Sequence, residues 1–303
     1  MRVTALIESP FQLMQLAEYI AINEIDDYKI IVRLNENEIN NTQLLNTLTI
    51  LTFDKDKCYF SKNRFILTVY LLITYRLLGK LIIGDDNSAI YRVVRFVIPL
   101  SFFLFLDDGT SSLNSKVNGD RFTIFDEVNG SKNKLTCITK IIEENSFSVN
   151  PERLVILGGK LIEVGICSRN IYIGIIDVMV ADIRKKYSKN IVISYIPHRG
   201  ETEYKSFLTI DYCKKFNIEV IQNELPVEFI AVEKKIKIVG VFGLFSTALF
   251  TMKLIYPSSE IKYYIISEYD LLSRKNAVIE FYQMMKGSNL SSSEIPVVTQ
   301  SAE

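Results

Sequence analysis

The sequence predicts an α/β protein built as two Rossmann-like domains that face a central cleft. Three observations carry this expectation. The chain has 303 residues, too many for one small core and suited to two domains of about 150 residues each. Short runs rich in Ile, Val and Phe alternate with segments of helical periodicity, the pattern of a mainly parallel sheet covered on both faces. That alternation stops in a polar stretch, Asn114 to Pro151, and then restarts. The boundary is therefore placed near residue 150, giving domains 1–150 and 151–303.

In the first half, Arg2 to Ile7 reads as a strand. Ser9 as N-cap and Pro10 at the first helical position open a helix through Ile22. Lys29 to Leu34 follows as a strand, Asn41 to Leu51 and Leu67 to Leu78 as helices, and Lys80 to Ile83 as a strand running into Gly84-Asp85-Asp86-Asn87. Ala89 to Val97 is a helix, and Ser101 to Leu106 a strand ending at Asp107-Asp108-Gly109-Thr110. In the second half, strands are expected at Arg153 to Leu157, Asn190 to Ile196, Glu219 to Ile221, Lys237 to Phe242 and Glu260 to Ile266. Helices are expected at Ile171 to Tyr187, Glu203 to Phe216, Val227 to Val232, Ala248 to Ile255 and Tyr269 to Lys286, with a Ser-rich mobile tail from Gly287.

Composition narrows the function. Lys+Arg and Asp+Glu both number 35, so the basic excess of a nucleic-acid binder is missing and an anionic ligand must be held by a local site. One histidine and four cysteines without CxxC spacing argue against a zinc site, and the thiols read as free in a reducing compartment. The N-terminus has no signal-peptide pattern, so a cytoplasmic location is expected. The apolar tracts Phe65 to Ile83 and Val93 to Leu106 are interrupted or short of the roughly 18 residues that span a bilayer. They read first as a buried helix and a buried strand, and leave room for peripheral membrane contact.

Five segments following predicted strands could carry chemistry, because ligands in such sheets bind beyond the carboxyl ends of strands. Asp107-Asp108-Gly109 can present a general base, or be a solvated Asp-Gly turn. His198, in Ile196-Pro197-His198-Arg199-Gly200-Glu201, can act on a phosphate or as an acid, with Arg199 as a fixed cation and Glu201 to orient either; the plain alternative is a surface turn. Gly243-Leu244-Phe245-Ser246-Thr247 can be an anion site at a helix start or an ordinary cap. Gly158-Gly159-Lys160 can let backbone approach a nucleotide or simply turn. Glu228 can accept bonds from a ribose or sit as a helix-start acid.

The order of these segments resembles bacterial sialyltransferases, which share an acidic D/E-D/E-G motif, then an HP motif, then a Ser/Thr pair. Asp107-Asp108-Gly109, His198 and Ser246-Thr247 match in that order, and Ser9-Pro10-Phe11-Gln12-Leu13 is similar to the S-P-x-Q-L opening of the lipooligosaccharide sialyltransferase and polysialyltransferase group. The resemblance implies a GT-B glycosyltransferase with an acceptor-binding first domain and a donor-binding second domain. It implies Asp108 as base, with Asp107 the alternate, and His198 as acid or stabiliser at the departing phosphate. It implies Ser246, Thr247, Glu228, Arg199, Gly158 and Gly159 at a CMP-sugar donor, and Ser9 and Gln12 at the acceptor. One departure stands out: Arg199, not proline, follows His198, and Pro197 precedes it, which implies different contacts to the donor base.

The expected reaction is inverting transfer of sialic acid from a CMP donor to a glycan, a terminal galactose of a surface polysaccharide or lipooligosaccharide, without metal or other cofactor. The acceptor is an oligosaccharide or lipid-linked glycan, and a homodimer is compatible with the sequence. The alternatives are a transferase for Kdo or another CMP-nonulosonic acid, a non-catalytic nucleotide- or glycan-binding protein of capsule assembly, and a membrane-peripheral structural protein.

Overall fold

In the computed structural model the described residues are 1–84, 86–109, 112, 117–125, 128–145, 151–287 and 290–296. The chain divides into two compact units, Met1–Glu144 with Glu224–Pro226, and Asn145–Asn223 with Val227–Glu303. The boundary expected near residue 150 falls at residues 146–150, outside the described ones.

The first unit runs β1 (Val3–Ile7), α1 (Pro10–Ile22), β2 (Tyr28–Arg33), α2 (Glu38–Ile50), β3 (Cys58–Ser61), α3 (Arg64–Thr74), β4 (Lys80–Ile83), α4 (Ala89–Val94), β5 (Phe103–Phe105), β6 (Asp120–Thr123), β7 (Ser131–Lys132) and α5 (Thr136–Glu144). Its sheet has the order β3-β2-β1-β4-β5-β6-β7, and every pairing is parallel. β1 lies between β2 and β4 and is buried along its whole length, as a strand covered on both faces must be. Side chains alternate across it. Val3, Ala5 and Ile7 join Leu13, Leu16, Leu44 and Leu48 under α1 and α2, while Leu6 joins Leu67, Leu71, Ile90 and Val94 under α3 and α4.

The second unit runs β8 (Glu152–Leu157), α6 (Arg169–Lys186), β9 (Val192–Ile196), α7 (Tyr204–Phe207), α8 (Ile210–Phe216), β10 (Ile218–Val220), α9 (Ile230–Lys234), β11 (Lys237–Gly243), α10 (Thr247–Ile255), β12 (Glu260–Ile265), α11 (Lys275–Gly287) and β13 (Ser291–Glu294). Its sheet, β10-β9-β8-β11-β12-β13, is parallel throughout. Counted within each unit, the first six strands of both sheets follow the doubly wound order 3-2-1-4-5-6. Each half is thus a Rossmann-like α/β layer structure.

Three expectations need correction, and one strand, β3, was not expected. The polar stretch after Asn114 contains β6, β7 and α5, and α5 starts where Glu18 of α1 accepts the Thr136 N–H at 2.8 Å and the Cys137 N–H at 2.6 Å. A buried carboxylate from a distant helix thus supplies the cap that the local sequence lacks. The edge strand β3 has exposed Tyr59 and Phe60 and so shows no burial alternation. The helix expected over Glu203 to Phe216 is broken into α7 and α8, with Thr209 capping the second through its hydroxyl. The Ser-rich tail is in part a strand: β13 pairs with β12, and Ile295 is buried behind it.

Left-handed backbone at non-glycine residues marks several helix-to-strand connections: Glu24, Thr52, Asn217 and Lys235 have φ of 50°, 54°, 50° and 52°. Each follows a helix and precedes a strand of its sheet.

Removing residues 288–303 exposes the edge of β12 and deletes buried Ile295. Urea unfolding of the shortened chain should show a loss of at least about 2 kcal/mol; an unchanged midpoint and slope would show that β13 contributes nothing.

Candidate active site

In a sheet of this order the chain changes winding direction between the first and fourth strands, and the crevice there receives ligands. In the first unit that point lies between β1 and β4, and in the second between β8 and β11. The sequence-predicted residues fall at or next to these two positions.

In the first unit, Ser9 caps α1, its Oγ accepting the Gln12 N–H at 3.3 Å, and Pro10 sits at the helix start. This fixes two glutamines over the carboxyl end of β5. Gln15 grips the backbone of Asp107 twice: Nε2 donates to its carbonyl at 2.9 Å, and Oε1 accepts its N–H at 3.0 Å. Gln12 donates from Nε2 to Asp108 Oδ1 at 3.0 Å, and its Oε1 accepts the Glu8 N–H at 2.8 Å. Gly84 makes room for this: a Cβ there would lie 2.0 Å from Gln12 Cδ. Gly109 turns the chain at φ 64°, and the Asp108 N–H donates to Ser112 Oγ at 2.6 Å.

The two aspartates are not equivalent. Asp107 is fully buried, and its Oδ2 accepts the Ile124 N–H at 2.8 Å. Burial pushes its pKa up to about 6, against the lowering effect of that N–H. Asp108 is only partly buried, with its carboxylate oriented by Gln12. Two ion pairs, Glu8 with Arg33 and Asp86 with Arg121, are largely buried at the same end of the sheet.

In the second unit three loops follow the adjacent strands β9, β8 and β11. The first carries His198. Its Nδ1 accepts the Gly200 N–H at 3.0 Å, which leaves Nε2 to carry the proton of the neutral ring. Desolvation, then the charges of Arg199 and Lys160, lower its pKa to about 4. The residue is exposed, so water screens part of this effect, but the sign is clear: the resting imidazole is neutral at pH 7.

Beneath His198 sits Glu201, buried, with three donors on its carboxylate. Tyr195 and Tyr172 hydroxyls donate to Oε1 at 2.5 and 3.2 Å, and the His198 N–H donates to Oε2 at 3.0 Å. Tyr172 in turn accepts the Gly159 N–H at 2.9 Å, so one network ties the β8 loop to the β9 loop. Gly158 is required by this arrangement, because a Cβ there would lie 2.2 Å from Glu201 Oε2 and 2.7 Å from the Tyr195 hydroxyl. Burial pushes Glu201 up to about 7.

The third loop opens α10. Ser246 caps it, with Oγ accepting the Ala248 N–H at 3.2 Å, which leaves the hydroxyl proton to donate outward; Thr247 is the first helical residue. One turn further on, Thr251 donates to Glu228 Oε1 at 2.6 Å. Burial raises the Glu228 pKa, opposed by that bond and by the Arg199 charge. Glu228 is therefore a buried acid anchored to α10. The loops present an imidazole N–H, a hydroxyl and two cations, a set suited to a phosphate. Among the described residues no group of three or more His, Cys, Asp and Glu could hold a metal ion.

Sequence reasoning assigned no role to Gln15, Gly84, Lys160, Tyr172 or Tyr195. Gly84 and Lys160 could have been found from their places after predicted strands. The two tyrosines could not, since each reads as one more apolar position of its helix or strand. Glu201, expected to orient His198 or Arg199, orients the first through its backbone N–H.

Solved structures share this fold over nearly the whole chain. The alpha/beta-galactoside alpha-2,3-sialyltransferase of Photobacterium phosphoreum is 14% identical, with a TM-score of 0.54, covering 95% of this chain and 97% of its own. The 2,6-sialyltransferase of Photobacterium sp. JT-ISH-224 is 10% identical at a TM-score of 0.52, covering 96% and 78%. The UDP-GlcNAc 2-epimerase of Methanocaldococcus jannaschii is 12% identical at 0.55, covering 95% and 94%. The fold is that of the GT-B glycosyltransferases and of these epimerases. No curated protein sequence matches the chain. A profile of the alpha-2,8-polysialyltransferase family matches residues 59–264, and the chain belongs to that family. It is a glycosyltransferase, and its activity is transfer of sialic acid.

The matched region holds the Asp107-Asp108-Gly109, His198 and Ser246-Thr247 segments but not the opening with Ser9 and Gln12.

Glu201 gives a pH test. Its folded pKa of about 7 exceeds the ordinary 4.5, so its stabilising contribution is full below about pH 4.5 and is lost as pH rises through 7. The unfolding free energy of wild type minus that of Glu201→Gln should therefore fall across this window. A difference that stays flat would show an ordinary carboxyl. Gly158→Ala should destabilise by about 1–3 kcal/mol through the same crowding, read by urea titration.

Proposed function

We propose that the chain is an inverting transferase that moves sialic acid from CMP-sialic acid to the end of a surface glycan. The observation that carries this reading is the division of the aspartate pair: Asp107 is sealed in the protein, while Asp108 is partly exposed and held by Gln12. Asp108 takes the proton of the acceptor hydroxyl as that oxygen bonds to the anomeric carbon of the donor sugar. The bond from that carbon to the phosphate oxygen breaks, and its electron pair leaves with CMP. One displacement inverts the configuration. Gln12 acts by orienting the base, and Ser9 acts through it by fixing the start of α1.

On the donor side, neutral His198 offers its Nε2–H to the leaving phosphate, and Arg199 and Lys160 supply fixed positive charge. Ser246 donates its hydroxyl, and Thr247 lies beside it at the start of α10. Gly158 and Gly159 bring backbone close to the nucleotide, and Glu228 receives the ribose hydroxyls. CMP is the donor product in the complex of the Photobacterium 2,6-sialyltransferase, whose acceptor substrate is lactose. Membership of an alpha-2,8-polysialyltransferase family favours an acceptor ending in sialic acid over the terminal galactose expected at first.

Incubation with CMP-Neu5Ac, CMP-Kdo and UDP-sugars against galactose- and sialic-acid-terminated oligosaccharides tests donor and acceptor together. Transfer is expected from CMP-Neu5Ac, most efficiently to the sialylated acceptors, and at the same rate in excess chelator. Asp108→Asn and His198→Ala should each lower kcat by about 100-fold or more. Full activity in Asp108→Asn would remove the proposed base. Ser246→Ala should weaken CMP binding by about tenfold, measured by calorimetry, and unchanged affinity would dismiss the phosphate role.

A further inference from the structure

The outer faces of α3 and α4 and the turns that follow them carry apolar side chains that the fold leaves uncovered. Phe65, Ile73, Leu77 and Phe96 are 76%, 75%, 72% and 80% exposed, and Ile66, Val69, Val93, Val97 and Leu100 are exposed beside them. Phe65, Val69 and Ile73 recur every four residues of α3 and so form one stripe, with Leu77 in the short turn that follows. Both helices cover the same face of the first sheet, since Leu67 and Leu71 of α3 and Ile90 and Val94 of α4 enter one core cluster. The stripe and the residues following α4 therefore lie on one outer surface. Such a patch marks an interaction site.

Charge identifies the occupant. Between Lys62 and Ser101 the chain has six basic residues and two acidic ones, in a protein that is neutral overall. Lys62, Arg64, Arg76, Arg92 and Arg95 are all exposed, and among the described residues none of the five pairs with a carboxylate. Asp86 is taken up by Arg121, and Asp85 lies outside the described residues. The Arg95 guanidinium sits over the Phe96 ring, 5.1 Å from its centre, which joins a cation to an apolar anchor. A two-fold contact with a second copy would set these cations against themselves. An anionic lipid surface satisfies both features, burying the apolar chains at the acyl boundary while the cations meet headgroup phosphates.

We propose that this α3–α4 surface docks the protein onto anionic bilayers as a peripheral, non-spanning contact. No helix among the described residues is long and apolar enough to cross a membrane. None of the residues of this surface is among those assigned to transfer, so the inference stands or falls apart from the donor and acceptor chemistry.

Vesicle flotation tests it. The full chain should bind phosphatidylcholine vesicles containing phosphatidylglycerol at least about tenfold more tightly than phosphatidylcholine alone, and less in high salt. The triple substitution Phe65→Ser, Ile73→Ser, Phe96→Ser should lower that binding by about tenfold or more. Its transfer rate to a soluble acceptor should stay at the wild-type level, which also shows that it folds. The chain has no tryptophan, so Phe96→Trp alone places one fluorophore in the patch, and its emission should shift to the blue on adding the anionic vesicles. Three results would each overturn the proposal: wild type that ignores anionic vesicles, an emission maximum of the Phe96→Trp variant that stays put, or a dimer abolished by the triple substitution with vesicle binding intact.

Discussion

The first half of the molecule depends on two side-chain amides. β5 is only three residues long, so the chain leaving it is soon beyond the reach of the sheet ladder. Gln15 takes over, accepting one backbone bond of Asp107 and donating the other as a neighbouring strand would. Gln12, one turn earlier on α1, does the same for the carboxylate of Asp108 and the backbone of Glu8. Both amides are buried, so leaving either unpaired would cost about 1–3 kcal/mol. The cost of desolvating them is what makes the position of the acid a property of the fold rather than of a loop.

The second half reaches the same end by other means. Glu201 is a buried carboxyl collecting donors from β9, α6 and its own turn, and the network reaches the Gly158-Gly159 backbone. Glu228 performs a similar service between its own short helical turn and α10. Each loop that lines the strand ends is therefore fastened from below, and His198 and Ser246 above it are held without using up the ring Nε2–H and the hydroxyl proton.

Much of this was legible in the sequence. Ser9-Pro10 announces α1, the strand runs are apolar, and the acidic, histidine and Ser-Thr segments fall after strands as read. What could not be read are pairings between residues far apart in the chain. The cap of α5 comes from Glu18, and the partner of Gln15 is Asp107, so no local window contains either. β13 has a serine-rich sequence and exists because β12 offers an edge and Ile295 a place to be buried. The Phe65 to Ile83 tract was expected to be a buried helix; α3 does form, but a helix apolar on every side gives no sign of which face stays outside.

Four residues with left-handed backbone, Glu24, Thr52, Asn217 and Lys235, lie where a helix hands over to a strand, at the end of each sheet away from the loops that carry its own candidate site residues. Each carries a side chain in a conformation that costs about 1 kcal/mol more than it does for glycine. The strain at these four positions is thus kept apart, within each sheet, from the strand ends that carry the candidate site. Hardening the molecule with glycine at these four positions need not trade against turnover, since those ends of the strands hold none of the groups proposed for the reaction.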